Sequence, residues 1–190
     1  MKLKPVVIAF LGRAGSGKST AAKYVEETYG AKKVGFAGPV KELARLAYNF
    51  TDEQLYGSQA VKEAVDPRYG FSSREGMQRI GEGARQIIGR DVWVTACFKY
   101  IESCGESIFV IEDCRYVNEA KAIIEASGFR GIVIKLTCPD SVSVANAEHP
   151  SEAEVDKVPK EYITTHIESR VSPGSKDLLE KVHAALTELM

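Results

Sequence analysis

The chain has 190 residues, 44% hydrophobic and 27% charged, a length and balance that close one core and point to a single domain over residues 1–190. Twenty-five Lys and Arg stand against 26 Asp and Glu, a formal net charge of −1, so no overall positive field draws in nucleic acid or an anionic membrane. The cysteines at 97, 104, 114 and 138 form no C-x-x-C pair and no Cys/His cluster with zinc spacing, and read as reduced thiols of a cytoplasmic protein. The apolar stretch before Gly12 is too short to span a membrane and lacks the cleavage pattern of an export signal.

In chain order, Val6 to Leu11 is an unbroken apolar run rich in β-branched residues, the pattern of a strand buried on both faces. A glycine-rich turn follows, and then Ser19 to Tyr29 predicts a helix stopped by Gly30. Lys33 to Phe36 predicts a short strand. Pro39 to Tyr48 predicts an amphipathic helix with its apolar side at Val40, Leu43, Ala44, Leu46 and Ala47. Thr51-Asp-Glu-Gln54 and Ser72-Ser-Arg-Glu75 carry the capping-box pattern of helix starts. The second opens a helix to about Gly89, and another spans Asp91 to about Ser103. Between the two caps, Gly57 to Gly70 is polar and turn-rich and reads as a mobile segment.

Ser107 to Ile111 is a further buried strand leading into Glu112-Asp113, and Val117 to Ala126 a helix ended at Ser127-Gly128. Gly131 to Leu136 is another strand, and Cys138 to Lys160 is polar with three prolines. Tyr162 to Ile167 reads as a last strand, and Ser175 as the cap of a closing helix with Leu178, Leu179, Val182, Ala185, Leu186 and Leu189 on its apolar side. Strands alternating with helices make this an α/β protein, a three-layer fold with a central parallel sheet flanked by helices.

Gly12-Arg13-Ala14-Gly15-Ser16-Gly17-Lys18-Ser19 satisfies G-x-x-x-x-G-K-S, and it sits where that loop works, between a buried strand and a helix start. The glycines let the backbone curl until its amides point at phosphate oxygens, and the helix start adds unpaired N–H groups and partial positive charge. The expected ATP ligands are Gly12, Ala14, Gly15, Ser16, Gly17, Lys18, Ser19 and Thr20, with Lys18 reaching the β- and γ-phosphates and the Ser19 hydroxyl on Mg²⁺. The chain is a P-loop NTPase fold by this motif. An Asn-Lys-x-Asp for guanine recognition is absent and the chain is short for a motor, which leaves a compact kinase.

Asp113 ends its strand, and Arg115 follows two residues later. Ligands of open parallel sheets bind beyond the carboxyl ends of the strands, so both are expected in the crevice of Lys18. There Asp113 can organise Mg²⁺ or the acceptor, and Arg115 can clamp phosphate. Arg74, Gln78, Gly81 and Arg85 follow i, i+4, i+7, i+11, one face of a helix, with Trp93, the only tryptophan, nearby in sequence.

Taken in order, the phosphate loop, Phe36-Ala-Gly-Pro-Val-Lys41, Leu55-Tyr-Gly57, Met77-Gln-Arg-Ile-Gly81 with Arg85, Asp91-Val-Trp93 and Asp113-Cys-Arg-Tyr-Val-Asn-Glu119 resemble the deoxynucleoside monophosphate kinases of tailed bacteriophages. The resemblance runs from the first strand to about residue 136. It implies transfer of the γ-phosphate of ATP to a deoxynucleoside monophosphate, in the cytoplasm, that of a host cell if the gene is a phage's. Lys18, Asp113 and Arg115 would be catalytic. Arg74, Gln78, Gly81, Arg85, Trp93, Asp113, Arg115 and Glu119 would line the acceptor site, and Ser19 and Asp113 would hold Mg²⁺. A helical acceptor-binding insertion would span about 50–104 and a lid about 138–160. A homodimer stays open.

The chain departs from the family pattern at Glu82, where Thr is expected, and at Gly38, where Asp or Asn is expected. No arginine lies between Arg130 and Arg170. Another small-molecule P-loop kinase, of the dephospho-coenzyme A kinase kind, and an ATP-dependent binding module without transfer are the alternative readings.

Overall fold

A computed structural model describes residues 4–139, 150–169 and 176–190. Residues 140–149 of the stretch expected to form a lid lie outside it, as does the expected cap Ser175. By its internal contacts the chain falls into two compact units, Met1–Gly35 with Tyr100–Met190, and Phe36–Lys99.

The first unit is built on a sheet of five parallel strands. These are β1 (Val6–Leu11), β2 (Lys32–Val34), β5 (Ile108–Cys114), β6 (Arg130–Thr137) and β7 (Thr165–Glu168), in the spatial order β2-β5-β1-β6-β7. The unbroken apolar run at the start of the chain is therefore the central strand, and Val7 through Leu11 have no exposed surface. On one face, Ile8, Phe10, Val110, Ile134 and Leu136 pack with Ala21 and Val25 of α1 (Lys18–Tyr29) and with Leu178, Val182 and Leu186 of α9 (Lys176–Leu189). The other face carries α7 (Val117–Glu125), which lies against β6 and β1 and buries Ala120 and Ile123. Each fully buried Ile, Leu or Phe of these layers contributes about 2 kcal/mol. This is the three-layer P-loop NTPase fold. Among the described residues no helix is long and apolar enough to cross a membrane.

The chain turns to opposite sides of β1, towards β5 and β2 first and towards β6 and β7 later. Its carboxyl end is thus the switch point at which open α/β sheets leave a crevice. Two details differ from the sequence expectation there. β5 runs on to Cys114, so Asp113 lies within the strand; a slip of register between Ala9 and Leu11 pairs Leu11 with Cys114 and extends the ladder. The stretch Cys138 to Lys160, for which the sequence predicts no helix or strand, carries α8 over Pro150–Val155 and runs into a 3₁₀ turn over Lys160–Tyr162.

The second unit holds α2 (Ala37–Tyr48), α3 (Asp52–Tyr56), α4 (Gln59–Glu63), the two-residue strands β3 (Val65–Asp66) and β4 (Phe71–Ser72), and α5 (Ser73–Ile87); Val92 opens α6 (Val92–Ser103). Ala44, Phe50 and Leu55 form its core, with Tyr48, Phe71, Met77 and Ile80 against them. Both predicted caps form: Gln54 N donates to Thr51 Oγ1 at 3.3 Å, and Glu75 N to Ser72 Oγ at 3.2 Å.

The segment read as mobile, Gly57 to Gly70, carries α4 and β3 and is organised by Asp66. The buried Asp66 carboxylate accepts from Arg68 Nη2 at 2.7 Å, Arg68 Nε at 2.9 Å and Gln54 Nε2 at 2.8 Å. Those donors, the Arg68 guanidinium first, hold its carboxyl well below the usual carboxylate range. Hydrophobic periodicity is blind to such a segment because polar groups do the organising.

Candidate active site

The turn from β1 to α1 is shaped by what surrounds its glycines. A Cβ on Gly12 would stand 2.6 Å from the carbonyl oxygen of Leu136 and 2.5 Å from Ser16 Oγ, so the strand β6 backbone leaves room for glycine alone. Gly15 and Gly17 have φ of 78° and 90°, the left-handed region that glycine enters at no steric cost. Gly17 is also pressed by Leu178, whose Cδ2 would lie 2.6 Å from an added Cβ. The crown of the loop, Arg13 to Gly15, is exposed, whereas Gly12, Ser16, Gly17 and Lys18 are buried.

Inside this cradle, Lys18 Nζ donates to the Arg13 carbonyl at 2.6 Å. Ser16 Oγ is buried with no hydrogen-bond partner. α1 starts at Gly17 with no side chain capping it and no acidic residue in its first turn, so its leading amides keep their donor capacity and positive field. A buried hydroxyl without a partner beside an uncapped helix start leaves polar groups in want of a ligand. A polyphosphate is one, and the loop fits it. Ser19 is exposed in the first turn and Thr20 half-buried behind it.

Asp113 approaches from β5. Its carboxylate lies against Gly35, just after β2, where an added Cβ would stand 2.8 Å from Oδ2 and 2.9 Å from Oδ1. Next to it, burial pushes the Cys114 thiol far up, the carboxylates of Glu119 and Asp113 push it further, and the Lys18 ammonium opposes them. Lys18, Asp113 and Glu119 therefore share the surroundings of one thiol at the end of β5. The oxygens of Ser19 and Asp113 are the hard donors Mg²⁺ prefers, beside a site for phosphate oxygens, and they fit that ion.

Arg115 is half-buried in the turn that follows. The turn is held by Glu119, buried to 2% exposure, whose Oε2 accepts from Arg115 N at 2.9 Å and Tyr116 N at 3.1 Å. Glu119 thus fastens the backbone that carries Arg115 and the start of α7.

In the second unit, Arg74, Gln78 and Arg85 are half-buried along one side of α5, with Gly81 buried among them. Arg74 Nε is 3.6 Å from Glu63 Oε1. Trp93, 4% exposed, donates its indole N–H to the Gly81 carbonyl at 2.9 Å and pins α6 to α5. An added Cβ at Gly81 would meet only ordinary contacts, 3.7 Å from Arg85 Nη1 and 3.9 Å from Val40 Cγ1.

Sequence reasoning did not single out Gly35 or Asp156, and it placed Leu178 only on the apolar side of the closing helix. The sequence places Gly35 inside the strand Lys33 to Phe36, whereas β2 ends at Val34 and Gly35 follows it; Asp156 gives no local signal. Asp156 follows α8 and forms an ion pair with Arg13 of the loop, and Lys135 Nζ of β6 is 3.9 Å from its Oδ1.

No family model matches the sequence. A protein of Acanthamoeba polyphaga mimivirus, named "Putative deoxynucleotide monophosphate kinase", is 30% identical over 167 residues, 80% of this chain and 83% of that one. Among solved structures, a gluconokinase from Sinorhizobium meliloti 1021 is similar with a TM-score of 0.55 at 16% identity, covering 99% of this chain and 95% of its own. A shikimate kinase from Acinetobacter baumannii is similar with a TM-score of 0.51 at 13% identity, with the same coverage of 99% and 95%. At those identities the likeness is one of fold. The sequence relationship reaches further: with its phosphate loop intact, the chain is a P-loop kinase and belongs to the deoxynucleotide monophosphate kinase family.

Proposed function

We propose that the chain transfers the γ-phosphate of ATP to a deoxynucleoside monophosphate, giving the deoxynucleoside diphosphate and ADP. The observation that carries the acceptor is the relationship to the mimivirus protein so named, extending over 80% of the chain. The glycine cradle around Lys18 supports the donor half.

In this reading an oxygen of the acceptor phosphate attacks the γ-phosphorus in line, and the bond from that phosphorus to ADP breaks. The protein does little covalent work and positions charge. The loop amides of Gly12 to Thr20 take the phosphates of ATP. Lys18 leaves the Arg13 carbonyl for the β- and γ-phosphate oxygens. Arg115, on the turn that Glu119 holds, neutralises charge on the transferring group. Ser19 and Asp113 would hold Mg²⁺, which would supply further neutralisation of phosphate charge.

The unit Phe36–Lys99 is assigned to the acceptor, through Arg74, Gln78, Gly81 and Arg85, with Trp93 acting at one remove by holding Gly81. Packing does not demand glycine at position 81, where alanine would suit a helix better by about 1 kcal/mol. Space kept for a ligand accounts for it.

The test is acceptor-dependent ADP release, with Mg-ATP and each deoxynucleoside and ribonucleoside monophosphate in turn, beside dephospho-coenzyme A and a blank. Turnover with one or more deoxynucleotides that falls at least about 100-fold in Lys18→Ala and Arg115→Ala supports the reading. Release with dephospho-coenzyme A alone would keep the chemistry and overturn the acceptor.

A further inference from the structure

Arg13 occupies the first variable position of the phosphate loop. Its backbone is already in the machinery: the Arg13 carbonyl accepts from Lys18 Nζ at 2.6 Å and from Ser16 N at 3.2 Å. Lys18 is the cation assigned to the β- and γ-phosphates, so Arg13 flanks the place where those phosphates are expected. Its side chain is 54% exposed at the loop's crown, paired with an Asp156 that is itself 52% exposed.

A carboxylate next to a polyphosphate site is an unfavourable neighbour unless a cation screens it. Arg13 is that cation in this structure, and Lys135 Nζ, 3.9 Å from Asp156 Oδ1 and only 19% exposed, is a second one fixed on β6. Asp156 is therefore not stranded if Arg13 turns away. A pair exposed to this degree is held weakly, because water competes for both partners. A γ-phosphate offers the guanidinium a stronger, bidentate acceptor of higher charge. The chain also has no arginine between Arg130 and Arg170. Any arginine that neutralises the γ-phosphate must come from elsewhere in the fold: Arg115 is one, and Arg13 is at hand as another.

We propose that Arg13 is a further cationic ligand of the γ-phosphate besides Lys18 and Arg115, parked on Asp156 until ATP fills the loop, with Lys135 taking over Asp156 when Arg13 leaves. The inference rests on the chain being a P-loop kinase and deepens the ATP half of the proposed function. It is indifferent to which acceptor is used.

The test compares ATP with ADP, since the two differ by the γ-phosphate. Dissociation constants for Mg-ATP and Mg-ADP are measured by calorimetry, with no acceptor present, on the wild-type chain, Arg13→Ala, Arg13→Lys and Asp156→Asn. Arg13→Ala is expected to weaken ATP about tenfold while leaving ADP within twofold, and Arg13→Lys to recover part of the loss. Asp156→Asn is expected to tighten ATP by about threefold, because Arg13 no longer has to leave a partner. Equal weakening of ATP and ADP in Arg13→Ala, or no change in either, would overturn the proposal and leave Arg13 a shaper of the loop. Weakening of ATP by Asp156→Asn to the extent seen for Arg13→Ala would show a structural clasp instead. Because no acceptor enters, failure here leaves the acceptor assignment standing, and failure of that assignment leaves this result readable.

Discussion

The carboxylate of Asp113 lies against the α-carbon of Gly35, so close that a methyl group there would stand 2.8 Å from Oδ2 and 2.9 Å from Oδ1. Gly35 does not have a positive φ, so glycine is not needed there for its backbone. What it provides is space, and the group that uses the space is the carboxylate assigned to the metal and the reacting phosphates. β2 and β5 are neighbouring strands, with Val34 opposite Ile111, so Gly35, just past β2, lies near the end of β5 that carries Asp113.

Gly35→Ala should accordingly separate stability from activity. The contact is with the far end of a side chain that can turn away, so the melting temperature is expected to fall by no more than about 3 °C. Turning Asp113 away is expected to lower kcat about tenfold or more, since small misplacements of a positioning group are costly to the chemical step. Thermal melts and steady-state kinetics of the one variant check both halves.

Gly12→Ala should behave in the opposite way. Its added Cβ meets the carbonyl oxygen of Leu136, a backbone atom of β6 that cannot yield alone, and the buried Ser16 hydroxyl. The loop itself must shift. Expected are a loss of about 1–3 kcal/mol of stability and weakening of ATP by at least about tenfold, read by denaturant unfolding and by nucleotide binding.

Gly81→Ala tests the acceptor assignment. The new methyl group has ordinary contacts with Val40 and Arg85, and alanine is the better helix former, so stability should rise by about 0.5–1 kcal/mol. If Gly81 keeps room for the acceptor, the acceptor KM should rise severalfold while the KM for ATP stays put. A stabilised variant with an unchanged acceptor KM would take Gly81 out of the site.

Acid stability should carry the mark of Asp66. Arg68 and Gln54 favour its ionised form, so its folded pKa lies below the unfolded value of about 3.9. The stabilisation is fully present above that unfolded value and is lost as pH falls below it towards the folded one. Asp66→Asn should be less stable than the wild type at neutral pH, and the gap in melting temperature should narrow as pH drops from about 5 to 2. A gap that is constant over that range would mean the Asp66 charge contributes nothing.

What could be read from the sequence was what is contiguous. The strand before Gly12, the loop and the helix after it lie within 24 residues, from Val6 to Tyr29, and each carries its own local signal. Asp113 was expected to end its strand, just past an apolar run, and the strand instead runs one residue further, to Cys114. The Arg13–Asp156 pair was not legible, because the partners are 143 residues apart and no pattern links them. Glu119 was legible as a motif residue, but its grip on the amides of Arg115 and Tyr116 depends on a helix start seen only in three dimensions. The order in Gly57 to Gly70 was hidden because a buried carboxylate, not an apolar stripe, holds it.

The central claim is a transfer, and following the transferred phosphate tests it most directly. The chain is incubated with ATP labelled in its γ-phosphate, Mg²⁺ and each deoxynucleoside monophosphate, and the nucleotides are separated. The account predicts label in the matching deoxynucleoside diphosphate for at least one acceptor, and none when Lys18→Ala replaces the wild type. Label that stays in ATP or appears only as inorganic phosphate, in protein shown to bind ATP, would contradict it.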